Sequence, residues 1–195
     1  MRKIILSLVL SLICLGINAK TVIHAGYLFN TDNGSVEPEM SIIIENERFS
    51  EVLEGYISPN PDDNYIDLTG YYVLPGLIDM HVHLTNQSSN RAYLERITLN
   101  AADYAIRATK NAEKTLMAGF TTVRNLGDSD SITISLRNAI NNGIVIGPRI
   151  FSSGKTISST GGHGDSTNSL NQRLTSDLGP KDGVMNGELD ALKSV

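Results

Sequence analysis

The sequence contains a single cysteine, Cys14, among its 195 residues. One cysteine cannot form a disulfide within the chain, and Cys14 lies in a segment that we expect to be removed. The predicted mature chain therefore has no thiol. This excludes a thiolate metal site and a cysteine nucleophile, while an oxidising compartment remains allowed.

The sequence also lacks an apolar run that is long enough for a typical transmembrane helix. The apolar run at residues 4–17 has about 14 residues, whereas a bilayer span needs roughly 20. Arg2 and Lys3 precede this run, and Asn18-Ala19 follow it. This layout is typical of a secretory signal peptide, with a buried helix or a membrane anchor as the alternative. We expect residues 1–19 to be cleaved off after Ala19, leaving a periplasmic or secreted protein without a stable membrane anchor.

Basic residues are too few and too scattered for a nucleic-acid-binding surface. The chain has 16 Lys and Arg against 21 Asp and Glu, a formal charge of −5, and 41% hydrophobic residues. This composition is that of an ordinary soluble globular protein. We therefore expect a small-molecule or dipeptide substrate rather than nucleic acid as the partner, and homo-oligomerisation is left open.

Residues 20–70 show no helical period. β-rich runs at residues 21–23 and 41–44 alternate with the turn-forming segments NTDNG at 30–34 and SPNPDD at 58–63. The pattern predicts a small antiparallel β unit, part of a composite β-sandwich and marginal as an isolated core.

Residues 71–195 alternate between strand and helix patterns. Strands are predicted at 73–83, 120–125 and 149–153. Amphipathic helices are predicted at 94–116 and 132–140, and Gly119 and Gly143 are expected to end them. Such alternation implies a parallel sheet with helical crossovers. We interpret the chain as α/β, with the first three βα units of a TIM (β/α)8 barrel. Because a whole barrel takes roughly 250 residues, we expect the chain to be truncated, with a small open α/β domain as the alternative.

The segment LPGLIDMHVHL at residues 74–84 carries the chemistry. Because side chains alternate along a strand, Asp79, His81 and His83 share one face, and the opposite face is wholly apolar. Burying three polar groups unpaired is costly, and binding a cation is one solution. Two positions along a strand span about 6.6 Å, so both rings can reach one ion at about 2.0–2.1 Å. Asp79 is expected to hydrogen-bond a ligand ring or to steady the strand.

The histidine pair alone is weak support for a metal site, because a chain with four histidines can contain such a pair by chance. Its position in an alternating strand gives it weight. LPGLIDMHVHL resembles the first barrel strand of the metal-dependent amidohydrolase superfamily. AGFTTVRNLGD at 118–128, GPRI at 147–150 and STGGHGD at 159–165 resemble its imidazolonepropionase-like and Xaa-Pro dipeptidase-like branch. The resemblance covers nearly all of the mature chain, but only about the N-terminal two-fifths of a family member.

The resemblance implies specific roles. His81 and His83 would bind the more buried of one or two divalent ions, usually zinc. The family's other ligands are a carboxylated lysine on strand four, histidines on strands five and six, and an aspartate on strand eight that is also the general base. None is recognisable here, so the catalytic residues are expected beyond Val195, and Lys193, in a helical pattern, is not assigned as the bridging lysine. The family's Arg-Asp pair after strand two appears as Arg124-Asn125, which puts a charged role at Asn125 in doubt.

His163, in the glycine-rich loop after the third strand, is a candidate for substrate binding, with a solvated loop histidine as the alternative. His24, in the β unit, is expected to be structural. Three functional hypotheses follow: an exported metallohydrolase acting on amide or peptide C–N bonds, a truncated and inactive part of such an enzyme, or a non-enzymatic periplasmic metal-binding module.

Overall fold

The computed structural model describes residues 19–168 and 170–194, and the predicted signal segment at 1–18 lies outside these ranges. The chain is mixed α/β and divides into two compact units between Pro75 and Gly76. The boundary predicted after residue 70 falls within a strand that ends at Val73. Across the described residues, none of the helices has the length and apolar character needed to cross a bilayer.

The first unit is one four-stranded sheet. It contains β1 (Thr21–Phe29), β2 (Val36–Glu45), β3 (Arg48–Glu54) and β4 (Asn64–Val73), in the order β3-β2-β1-β4. β1, β2 and β3 pair antiparallel, but β4 pairs parallel with β1, so the prediction of a purely antiparallel unit is wrong. The reason is that residues 55–63 carry the chain from one edge of the sheet to the other. Residues 19–75 form one sheet, and the second layer of the predicted sandwich stays a prediction.

His24 is a buried structural residue of this first sheet. Its Nε2 lies 2.8 Å from the carbonyl oxygen of Ile57, and its Nδ1 lies 3.0 Å from the hydroxyl of Tyr65. The ring also stacks on Tyr56 at 4.7 Å between centroids. Both ring nitrogens therefore have partners within the sheet, as a structural histidine requires.

The second unit is a parallel three-stranded sheet with helices. Its strands, in the order β5-β6-β7, are β5 (Leu77–Val82), β6 (Phe120–Asn125) and β7 (Arg149–Ser152). The helices are α1 (Ala92–Thr98), α2 (Ala101–Met117), α3 (Ile132–Asn141) and α4 (Glu188–Ser194), with short 3-10 turns at Gln172–Leu174 and Pro180–Asp182. Both strand pairs are parallel, as the alternating pattern predicts.

Two predicted elements are each broken in two. The strand predicted over 73–83 is interrupted, because Pro75 has no N–H to donate and a side chain on Gly76 would collide with Thr121. The helix predicted over 94–116 is interrupted before Ala101. There the backbone N–H of Asn100 donates to the Asp103 carboxylate at 2.9 Å, which begins a new helix.

The core of the second unit lies where α2 and α3 pack on β6 and β7. Ala108 and Ala112 of α2 and Leu136 of α3 pack with Val123 and Ile150, all buried. β5 is an edge strand, and the helices reach only its end. Ile78 and Met80 are 60% and 54% exposed, so the apolar face of β5 is uncovered at these two residues.

Candidate metal centre

The three parallel strands of the second unit end at one edge of the sheet, where polar residues collect. Val82 pairs with Asn125, and Asn125 pairs with Ser152, so the last residues of β5, β6 and β7 are neighbours. His83 follows β5 directly. In parallel α/β sheets the carboxyl edge is where ligands bind.

The structure brings the rings of His81 and His83 together. Their centroids lie 5.4 Å apart, and the ring planes are inclined by 69°. Two imidazoles on one tetrahedral zinc, each at about 2.0–2.1 Å, have centroids about 5 Å apart. Both His81 and His83 are exposed. The two rings thus fit a shared ion that is reached from solvent.

The hydrogen bond of His83 also suits a metal ligand. Its Nδ1 lies 3.1 Å from the backbone carbonyl oxygen of Gly127. Because a carbonyl only accepts, Nδ1 carries the proton, which leaves the lone pair on Nε2 free. Histidine ligands usually donate their second ring N–H in this way, which fixes the tautomer and the ring orientation.

Asn125 connects the ends of the three strands. Its side chain is fully buried, and its Oδ1 accepts from the backbone N–H of Leu84 at 2.9 Å. Its Nδ2 lies 3.2 Å from the carbonyl oxygen of Gly127 and 3.3 Å from the hydroxyl of Thr133. The Thr133 hydroxyl in turn lies 2.8 Å from that of Ser152. This network was not predicted from the sequence, although a polar residue at the end of a buried strand is a signal for it.

Asp79 acts on the backbone between the two histidines. Its Oδ1 accepts from the N–H of His81 at 2.9 Å. Of the two roles expected for Asp79, this contact corresponds to steadying the strand. A hydrogen bond from Asp79 to a histidine ring does not occur among the described residues.

His163 lies exposed in a loop that is organised by Asp165. The buried Asp165 carboxylate accepts from the backbone N–H of Gly161 at 2.8 Å, and from the hydroxyl and N–H of Thr167 at 2.7 and 2.8 Å. These bonds, that of Gly161 first, hold the pKa of Asp165 below its usual range. In the described part of the chain, His163 shares no ring contact with His81 or His83, so its role in substrate binding stays a prediction.

An open hollow of about 500 Å³ lies beside His83 and is lined by Asn86, Gln87 and Ser88. Its volume suits a small molecule. Within residues 19–168 and 170–194, no three His, Cys, Asp or Glu side chains come together as a metal site. The site in these ranges therefore offers two histidine ligands. Lys193, which was not assigned as the bridging lysine, lies in α4, as its helical pattern predicts.

The amidohydrolase family model matches residues 72–191, which is more than half of the chain and includes both histidines of the site. The chain belongs to the amidohydrolase family. This confirms the resemblance drawn from the motifs at 74–84, 118–128 and 159–165. Members of this superfamily generally use divalent metals.

Several known proteins are similar to this chain. A Xaa-Pro dipeptidase with bound methionine is 44% identical, with a TM-score of 0.82 over 90% of this chain and 43% of that chain. A prolidase complexed with N-methylphosphonate-L-proline is 35% identical, with a TM-score of 0.66 over 79% of this chain and 37% of that one. Ochratoxinase from Aspergillus niger is 26% identical over 74% of this chain and 30% of its own length. The amidohydrolase chain thus spans less than half the length of these relatives.

Proposed function

We propose that this amidohydrolase cleaves an amide or peptide C–N bond with the help of a divalent ion, zinc being the metal we expect, held by His81 and His83. The observation that carries the proposal is the ring pair at the carboxyl edge of the sheet, 5.4 Å between centroids. The carbonyl of Gly127 supports it, because it occupies Nδ1 of His83 and leaves Nε2 for the ion.

The residues of the site have separate tasks in this mechanism. When bound, a divalent ion supplies water that is activated near neutral pH and polarises the scissile carbonyl. His81 and His83 hold the ion, and Asp79 fixes the backbone between them through the His81 N–H. The open hollow beside His83 admits a small substrate from solvent.

We propose that the sheet of the second unit is the first part of a TIM (β/α)8 barrel. The parallel order β5-β6-β7 and the match to 43% of the dipeptidase chain support this reading. The strand-four lysine, the histidines of strands five and six and the strand-eight aspartate, implied by the family resemblance, would then lie outside these 195 residues. We therefore expect no turnover from the 195-residue chain alone.

A dipeptide is the substrate class that we propose, with a small cyclic amide as the alternative. The similarity to a Xaa-Pro dipeptidase and to a prolidase supports a dipeptide. The signal-like segment at residues 1–19 favours export to the periplasm or medium, where such an enzyme would act on scavenged peptides.

Zinc binding by the chain tests the metal site directly. Equilibrium dialysis should show zinc on the wild-type chain and its loss from His81→Ala and from His83→Ala. His163→Ala is the matched control, because this exposed histidine lies in the loop after β7, and it should bind zinc like the wild type. Equal zinc binding by the wild type and both ligand variants would contradict the site.

Hydrolysis can be tested in a chimera. Residues 72–191 replace the corresponding part of the similar Xaa-Pro dipeptidase, and Xaa-Pro dipeptides serve as substrates. We expect turnover that disappears with His81→Ala or His83→Ala. Unchanged hydrolysis in both variants would exclude a catalytic ion at these histidines, and zinc binding without turnover in the chimera would favour the metal-binding module.

A further inference from the structure

The carbonyl oxygen of Gly127 is shared by two donors. His83 Nδ1 lies 3.1 Å from it and Asn125 Nδ2 lies 3.2 Å from it. A carbonyl oxygen has two lone pairs and can accept both bonds. The candidate ligand and the fully buried amide therefore meet at one backbone atom, although 42 positions separate His83 from Asn125 in the sequence.

We propose that Asn125 is a positioning residue for His83. Its amide holds the Gly127 carbonyl at Nδ1 of the imidazole, so that the ring stays in the Nδ1–H tautomer and Nε2 faces the ion. The proposal rests on the metal-binding function proposed above, and it adds a residue for which neither the family resemblance nor the histidine spacing gives this role.

Both ends of the Asn125 amide act on the segment that carries the ligand. Oδ1 accepts from the Leu84 N–H at 2.9 Å, which fixes the backbone directly after His83. Nδ2 donates to the carbonyl of Gly127, which fixes the acceptor for the ring. An aspartate at this position could still accept from Leu84, but it would place a carboxylate oxygen against the Gly127 carbonyl and offer no donor.

The backbone directly before the Gly127 carbonyl is held as well. Gly127 has a φ of 140°, in the region that favours glycine, and a Cβ there would collide with the Thr156 hydroxyl. That hydroxyl donates to the carbonyl of Leu126 at 3.3 Å. Thr156 thus holds the carbonyl of Leu126 and Asn125 holds that of Gly127, so the turn that presents the acceptor to His83 is fixed at two successive peptides.

The tautomer of His83 tests the positioning without any metal. Long-range 1H–15N correlation spectra of the metal-free 195-residue chain, at a pH of about 8 where an ordinary imidazole is neutral, report which nitrogen carries the proton. The His83 signals are assigned by their loss in His83→Ala. We expect the proton on Nδ1 in the wild type and a shift of population toward Nε2–H in Asn125→Asp. A wild-type His83 with its proton on Nε2 would overturn the proposal, and this measurement needs no variant to fold.

Asn111→Asp is the matched control. The Asn111 amide donates to the carbonyl of Leu84 at 2.7 Å, so this variant also loses an amide donor beside the ligand segment. It leaves the Gly127 carbonyl untouched. We expect the His83 tautomer in Asn111→Asp to match the wild type, and a shift equal to that in Asn125→Asp would overturn a specific role for Asn125.

Zinc affinity gives the second readout. We expect Asn125→Asp to bind zinc about 10- to 100-fold more weakly than the wild type, the usual effect of losing a group that orients a ligand. If the wild type binds zinc and Asn125→Asp binds it with the same affinity, the positioning role is overturned. If the tautomer changes as expected but the wild type binds no zinc, the positioning stands and the proposed metal function fails.

Discussion

At the scale of single residues, neutral side chains connect the ends of β6 and β7 at the carboxyl edge of the second sheet. The buried side chains of Asn125 and Thr133 satisfy one another and reach the hydroxyl of Ser152. A buried charge at Asn125 would need a counter-charge, whereas an amide donates and accepts at once. The asparagine that stands where the family resemblance implies an aspartate is therefore suited to hold backbone groups rather than to carry charge.

Gly127→Ala should destabilise the second unit and disturb His83. The new Cβ meets the hydroxyl of Thr156, and alanine disfavours a φ of 140°. Strain of this kind costs about 1–3 kcal/mol. Chemical denaturation measures the loss, with Gly119→Ala as the control. Gly119 also has a positive φ, of 96°, but open space around it, so a loss at Gly127 no larger than at Gly119 would contradict the collision.

Asp165 should make the stability of the chain depend on pH. Because the Gly161 and Thr167 bonds lower its folded pKa, the stabilisation is fully present above the unfolded pKa of about 3.9 and is lost as the pH falls through the lower, folded value. Unfolding free energies of the wild type and Asp165→Asn, measured from about pH 6 downward, should therefore differ by a constant amount at first. The difference should shrink below about pH 4, and a difference that grows with acid would refute this assignment.

At the scale of elements, α3 is held by a small apolar contact surface. Leu136 is 5% exposed and packs with the buried residues of α2 and β6, whereas Ile144, shortly after the helix, is 75% exposed. We expect Leu136→Ala to lower the free energy of unfolding by about 2–5 kcal/mol. Ile144→Ala should change it by about 0.5 kcal/mol or less, and denaturation curves compare the two. Equal losses would mean that α3 does not pack on the sheet as described.

Elements with local signals could be predicted from the sequence. β6 has the predicted bounds of 120–125, because alternation and the preceding glycine mark it. The breaks at Pro75-Gly76 and before Ala101 were missed. The first depends on Thr121, far along the chain, and the second on one carboxylate that caps the Asn100 N–H. The parallel pairing of β4 was also missed, because strand direction depends on the path of a connection and not on the residues of the strand.

At the scale of the whole molecule, local spacing and long-range register contribute different parts of the site. The closeness of His81 and His83 follows from their spacing along one segment, so the sequence sufficed to predict it. The contact of His83 with Gly127 requires β5 and β6 to pair in parallel with Val82 beside Asn125. No local pattern specifies that register. The histidine pair was therefore predicted from the sequence, whereas the hydrogen bond of His83 to the Gly127 carbonyl was not.

Metal binding should therefore stabilise the fold that holds this register. A ligand that binds only the folded state stabilises it by about 2.7 kcal/mol when its free concentration is 100 times its Kd. We expect zinc at that excess to slow hydrogen exchange at the buried Val123, in β6 of the second unit, and a chelator to reverse the effect. His81→Ala and His83→Ala should remove the zinc effect, and His163→Ala should keep it. Protection by zinc that persists without either ligand would place the ion elsewhere and separate the metal from the edge of the sheet.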